Sequence, residues 1–242
     1  MATIGNHLLA ALPARDRKRL LTLAMAIPLD LSAVLVRAGE NPGYIYFPTS
    51  GFVSLVSTSE GNPSLEVGMV GTEGMVGAQV VLGIVEAPVQ ALVQGMGSAL
   101  RIPIQTFRAE LDSCKVLKQV MDRYVHVLNS QLTTSLTCVR FHQVAPRLAR
   151  WLLMSHDRAH SDRFSVTQEF LAYMLGARRS GISEAATLLQ RDGLISYKRG
   201  EMKVLDRPRL EAASCSCYLA DLQCYAQTFG SVSARIRRTI TP

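Results

Sequence analysis

Residues 164–205, FSVTQEFLAYMLGARRSGISEAATLLQRDGLISYKRGEMKVL, decide how the rest of the chain is read. Thr167 is a good N-cap, set just ahead of the apolar positions Phe170, Leu171, Met174 and Leu175 at helical spacing. Gly176 should stop that helix, because glycine adopts the left-handed conformation of a helix end without steric cost. Ala177-Arg178-Arg179-Ser180 opens a second helix, whose apolar positions are Ile182, Ala185, Ala186 and Leu189. Two short helices joined by a tight glycine turn make a helix-turn-helix. The second begins with two arginines and Ser180, at the turn that such a motif offers to DNA bases. Residues 193–205 then read as a β-hairpin with Lys198 and Arg199 at its tip, the wing of a winged helix. Cations at that tip would reach phosphates and add affinity that depends on salt but not on sequence.

Outward from this stretch, residues 147–156 form an amphipathic helix carrying the only tryptophan, Trp151, with Pro146 as a joint before it. Between residues 116 and 139, apolar side chains fall at Leu117, Val120, Met121, Tyr124, Leu128, Leu132, Leu136 and Val139, with Val125 beside them. Spacing of three or four keeps them on one face of a long helix, and the pattern suits a coiled-coil-like dimer seam. From residue 33 to 104 the texture is different. Short β-branched or aromatic runs at 34–36, 44–47, 52–56, 65–70, 89–93 and 99–104 alternate with Gly, Pro, Asn and Ser, as in a sandwich or barrel. Glu60-Gly61-Asn62-Pro63 reads as a hairpin connection. The first thirty residues read as helical, with Leu8, Leu9 and Leu12 and then Leu20, Leu21 and Leu23 around a basic turn.

Composition narrows the function. Of 242 residues, 48% are hydrophobic and 19% charged, a globular profile. No uncharged apolar run reaches the roughly 20 residues of a membrane helix, and no secretory signal pattern opens the chain, so a cytoplasmic location is expected. The net charge of +7 is unevenly spread: residues 30–113 hold three cations against eight anions, residues 141–242 fifteen against nine. An acidic middle and a basic C-terminal third suggest two domains, the second with an anionic partner. An enzyme is not expected, since there is no P-loop, H-E-x-x-H or G-x-S-x-G, and Gly95-Met96-Gly97-Ser98 is only a fragment of a dinucleotide fingerprint. The five cysteines are an odd number, and reduced thiols are the default. Cys215, Cys217 and Cys224 are the clustered set. No histidine follows His160 and C-x-C is not a usual structural zinc spacing, so they read as ordinary buried cysteines, with no metal and no cofactor assigned. Nothing specific supports haem ligation by His126 or His142.

Residues 167–183, TQEFLAYMLGARRSGIS, through Leu194-Ile195-Ser196 resemble the DNA-binding domain of the Crp/Fnr family of bacterial regulators. The resemblance extends over nearly the whole chain but is sharp only in residues 164–205. It implies an α+β fold: a cyclic-nucleotide-binding-like β-roll in residues 1–113, a dimerisation helix in 114–145, and a winged helix-turn-helix with a C-terminal tail in 146–242. Carried over by position, Arg179 and Ser180 match the leading base-reading places. Glu184 matches a third contact place often held by a cation, where an acid could accept from a cytosine amino group. Thr167, Gln168 and Arg178 match phosphate-contacting places, and Ser183 is a weaker candidate for DNA contact.

The chain departs from the nucleotide-binding members of that family. Ala78 stands where they keep a ribose-binding Glu, and Pro88 or Val89 where they keep the Arg that pairs with the cyclic phosphate. No Lys or Arg lies between Arg37 and Arg101, and burying a phosphate without a cation is costly. The Gly-rich loop at residues 73–79 is therefore read as structural, and cyclic AMP control is not expected. No cysteine precedes Cys114, which removes the N-terminal thiols of the iron–sulfur branch. The expected function is a homodimeric, sequence-specific transcription regulator on near-palindromic promoter DNA, with RNA polymerase as a further candidate partner. Whether an effector ligand exists stays open. The competing reading is a β-roll that binds a protein or ligand, with a basic C-terminal domain that does not read DNA specifically.

Overall fold

The computed structural model describes residues 5–58, 64–159, 161–198 and 200–230. The chain forms two compact units, Met1–Ser57 with Met69–Asn129, and Thr58–Gly68 with Ser130–Pro242. Among the described residues no helix is long and apolar enough to cross a membrane.

In the first unit, α1 (His7–Ala10) and α2 (Ala14–Thr22) precede a sheet of β1 (Met25–Leu29), β2 (Val34–Val36), β3 (Tyr44–Ser57), β4 (Leu65–Val70) and β5 (Gln90–Pro103). Its order is β1-β5-β3-β4, with β2 also paired to β5. The expectation of helix through residue 30 fails at Met25. There the chain pairs antiparallel with β5, from Met25 opposite Arg101 to Leu29 opposite Gly97. Pro28 is tolerated because β1 is an edge strand, where a missing N–H interrupts no ladder.

The runs at 44–47 and 52–56 are one strand, β3, and those at 89–93 and 99–104 merge into β5, except that Val89 precedes it and Ile104 begins α3 (Ile104–Ser113). Pro48 to Gly51 reads as a break but is absorbed by bulges, where the β3–β5 register shifts between Pro48 and Val53. The fingerprint-like Gly95 and Gly97 lie inside β5, against the Phe52 ring and the Ser50 backbone, where no Cβ would fit. Phe47 and Phe107 meet edge to face at 6.0 Å and close the sheet under α3. Glu60 to Pro63 lie outside the described residues.

α4 (Lys115–Phe141) is the long helix expected from residues 116–139. Its apolar stripe has two parts. Leu117, Val120, Met121 and Tyr124 are buried, and Tyr124 donates to the Met75 carbonyl at 3.2 Å. Val125, Leu128 and Leu132 are half-buried, Leu136 and Val139 exposed. The early part of the presumed seam therefore packs inside its own chain.

The second unit is built around α5 (Val144–Ala159). Pro146 lies in the first turn of α5, where no intrahelical donor is required, and the joint with α4 falls at His142-Gln143 instead. Every residue from Arg147 to Asp157 is buried. Around it come β6 (Arg163–Ser165), α6 (Gln168–Leu175), α7 (Arg179–Arg191), β7 (Ile195–Lys198), β8 (Glu201–Val204), α8 (Arg207–Ala213) and α9 (Cys217–Phe229).

A helix buried along its length must place its polar groups, and its last turn meets Arg207. The guanidinium donates to Asp157 Oδ1 at 2.6 Å, His156 Nδ1 at 2.6 Å and Glu211 Oε1 at 3.1 Å. Tyr218 donates to the other Asp157 oxygen at 2.9 Å. Since Arg207 occupies Nδ1, the His156 proton is on Nε2, which donates to Asp162 at 2.7 Å. Burial depresses the Arg207 guanidinium, but Asp157, Tyr218 and Glu211 together outweigh it and the net shift is upward. Arg207→Ala would leave Asp157 buried and unpaired. The expected loss is about 3 kcal/mol in urea unfolding, with part recovered when Asp157→Asn is added; an unchanged midpoint would mean that the network contributes nothing.

Candidate nucleic-acid interface

The helix-turn-helix is assembled as its residues suggest. Thr167 sits in extended conformation (φ −90°, ψ 156°), and its hydroxyl accepts from the Phe170 N–H at 3.1 Å, capping α6. Gly176 closes α6 at φ +54°. Its N–H and that of Ala177 return to the carbonyls of Tyr173 and Ala172. From beneath, the buried Arg147 of α5 donates to the Leu175 carbonyl, so the end of α6 is satisfied from the core as well as from its own turn.

Arg178 is the N-cap of α7, with φ −72° and ψ 145°, and Arg179 is its first helical residue. Ile182, Ala185, Ala186 and Leu189 are buried, as expected from their spacing. The opposite face carries Arg179, Ser180, Glu184, Thr187 and Arg191, all exposed, with Ser183 half-buried at its margin. Among the described residues no ion pair engages Arg178, Arg179 or Glu184. Arg191 is paired with Asp192 at 3.0 Å. Thr187 and Arg191 were not singled out from the sequence, though their spacing from Ser180 and Ser183 could have placed them on this face. α7 also starts with two cations at its positive end, an arrangement unfavourable to the isolated helix.

The wing is a three-stranded sheet in the order β6-β8-β7, not a lone hairpin. β6 is only three residues long, too short for a period-two pattern to show in the sequence. It pairs Phe164 with Met202, and Phe164 stacks edge-on against Trp151 of α5 at 6.3 Å. Tyr197 binds the wing to α7 and to the segment ahead of α6: its N–H donates to Gln190 Oε1 at 2.7 Å and its hydroxyl to the Val166 carbonyl at 2.9 Å. Lys198 is exposed at the end of β7, while Arg199 lies outside the described residues. Arg163 and Glu201 pair across β6 and β8 at 3.1 Å, so one further cation of the wing is already occupied. Thr167 is exposed and Gln168 half-buried at the start of α6. One domain thus displays Thr167, Gln168, Arg178, Arg179, Ser180, Ser183, Glu184 and Lys198.

The thiol cluster differs in membership from the one read in sequence. Cys215 and Cys217 meet Cys138 and His142, and Cys224 is not part of the group.

In the first unit, Ala78 is buried in a 3-10 turn (Ala78–Leu82), and Pro88 lies in a bend. A Cβ on Gly74 would lie 2.4 Å from the Tyr124 hydroxyl, so the Gly-rich loop has a packing reason for its glycine.

Residues 146–213 match the family of Crp-like helix-turn-helix domains. No curated protein matches the chain in sequence. Among solved structures, a Crp/Fnr-family regulator from Eubacterium rectale superposes with a TM-score of 0.68 at 15% identity, over 86% of this chain and 98% of that one. FixK2 from Bradyrhizobium japonicum gives 0.66 at 12% identity, over 80% and 98%. CLP from Xanthomonas campestris, a global regulator responsive to c-di-GMP, gives 0.64 at 19% identity, over 79% and 99%. Likeness at these identities is a likeness of fold. Gly176→Ala should cost about 1–2 kcal/mol of stability, the price of a left-handed alanine, and Gly176→Asn less. Denaturant unfolding of both variants checks it, and equal losses would place the cause in packing, not in the backbone.

Proposed function

We propose that this chain, which has the fold of the Crp/Fnr transcription regulators and carries a Crp-like helix-turn-helix DNA-binding domain at residues 146–213, reads a near-palindromic promoter site as a homodimer. The observation that carries the reading is the first turn of α7. Arg178, Arg179 and Ser180 are exposed there on a helix whose other face is locked into the core. Arg179 can hold a guanine through O6 and N7, and Ser180 can approach the next base edge. Glu184, one turn on, repels phosphate and accepts from a cytosine amino group, so it selects against sites that lack one. Thr167, Gln168, Arg178 and Lys198 serve the phosphates, with Arg199 and Ser183 as further contacts of the same kind.

The dimer would form through the later part of α4. Val125, Leu128, Leu132, Leu136 and Val139 are spaced by three and four and are incompletely covered within the chain. Two recognition helices held by such a seam fall about one DNA turn apart, roughly 34 Å. A signal at the β-roll would act by shifting the balance between two arrangements of the DNA-binding units. That signal is not cyclic AMP in its usual mode. No cation lies between Arg37 and Arg101 to pair with a cyclic phosphate, and Ala78 offers no carboxylate for a ribose.

Selection of bound fragments from a random DNA pool, with wild type and Arg179→Ala in parallel, tests the first claim. Wild type should recover an inverted repeat, and Arg179→Ala should bind that site about 5- to 150-fold more weakly, the equivalent of about 1–3 kcal/mol. Failure of wild type to enrich any sequence, with or without added cell extract, would favour the interaction-module reading. For the seam, Leu132→Asp with Leu136→Asp should give a folded monomer in analytical ultracentrifugation where wild type sediments as a dimer. A monomeric wild type on its own DNA would defeat the dimer.

A further inference from the structure

Four potential ligand atoms converge at one corner of the second unit. Cys138 lies on the last turn of α4, and the His142 N–H bonds back to its carbonyl at 3.1 Å, so the two side chains share a face. Cys215 and Cys217 form the corner between α8 and α9. The Cys138 and Cys215 sulfurs are 3.5 Å apart, Cys217 Sγ is 3.6 Å from His142 Nδ1, and all four atoms lie within 4.8 Å of one another. Zinc–sulfur bonds of about 2.3 Å and a zinc–nitrogen bond of about 2.0 Å at tetrahedral angles require about 3.8 Å between sulfurs and about 3.5 Å from sulfur to nitrogen. The Cys138–Cys215 and Cys217–His142 pairs stand close to those separations, and the four atoms together are near enough to close on one ion.

We propose that Cys138, His142, Cys215 and Cys217 form a closed tetrahedral site for zinc, which clips the end of α4 to the α8–α9 corner. Four protein ligands leave no open position, so the site is structural and does no chemistry on a substrate.

Charge on the surrounding helix supports the assignment independently. Arg147 and Arg150 of α5 are both buried and interact electrostatically with Cys138 and Cys215. Asp221 pairs with Arg150 at 2.7 Å. Among the described residues, no carboxylate pairs with Arg147. Glu66 lines the same small cavity as Arg147 and Arg150. A zinc ion with three thiolates carries a net −1, a sign that suits guanidinium neighbours. A coordinating cation would displace the thiol protons. A surface cleft lined by Thr133, Thr137, Cys217 and Gln223 brings solvent to the edge of the cluster at Cys217.

The test uses reduced full-length protein purified without added metal. Elemental analysis should find one zinc per chain. After chelation, titration with Co2+ should produce the visible ligand-field bands of a tetrahedral sulfur-rich site and a near-ultraviolet thiolate-to-cobalt band, and zinc should bleach both. Cys217→Ser should lose these bands and His142→Ala should shift them, while Cys114→Ser, outside the cluster, should match wild type. Circular dichroism of each variant separates loss of ligand from loss of fold. Zinc-free wild type with no cobalt spectrum would overturn the proposal. So would iron as the bound metal, a Cys138–Cys215 disulfide in the native protein, or a wild-type spectrum in folded Cys217→Ser. DNA selection with zinc-loaded protein reads the regulator function separately, so either claim can fail alone.

Discussion

A helix surrounded by other elements cannot leave its charges in a medium that solvates them poorly, and α5 is such a helix, buried from Arg147 to Asp157. Its buried charged side chains and His156 are consequently fixed points for other elements. Arg147 holds the end of α6 through the Leu175 carbonyl. Arg150 holds α9 through Asp221, and Asp157 with His156 holds α8 through Arg207. The apolar side chains of the same helix add to the burial that makes the unit stable, but burial has no direction. The directed bonds are what set the orientation of the elements around it.

That orientation matters because α7 is defined by what lies behind it. Ile182, Ala185, Ala186 and Leu189 dock inward, and this alone decides that Arg179, Ser180 and Glu184 point away from the core. Tyr197 adds a second restraint by tying the wing to Gln190 of α7 and to the Val166 carbonyl. The proposed reading of DNA therefore rests on rigid supports, which suits contacts that must match base edges within fractions of an ångström.

In the first unit, a similar economy places Tyr124 of α4 against Gly74 and the Met75 carbonyl. The glycine-rich loop, the sheet and the first part of α4 are thus one packed body. The apolar stripe of α4 divides at about Val125 for the same reason. Positions ahead of it are buried within the first unit, and Leu128, Leu132, Leu136 and Val139 are not fully buried.

Much was legible before any coordinates. The cap at Thr167, the stop at Gly176, the buried positions of α7 and the extent of α4 follow from local rules, because capping, positive φ and helical periodicity are properties of neighbouring residues. What failed locally depended on partners far along the chain. Met25–Leu29 is a strand because β5 lies beside it, and Pro48 to Gly51 does not end β3 because a bulge absorbs it. The three residues of β6 gain their identity only from Met202 and its neighbours. The thiols show the division most plainly. Adjacency in sequence groups Cys217 with Cys224, whereas folding sets Cys217 beside His142, 75 residues away, and Cys215 beside Cys138, 77 away. Periodicity determines which face of a helix is apolar, and the sequence by itself determined that. Which remote residue meets that face is decided by packing, and only the tertiary structure decided it.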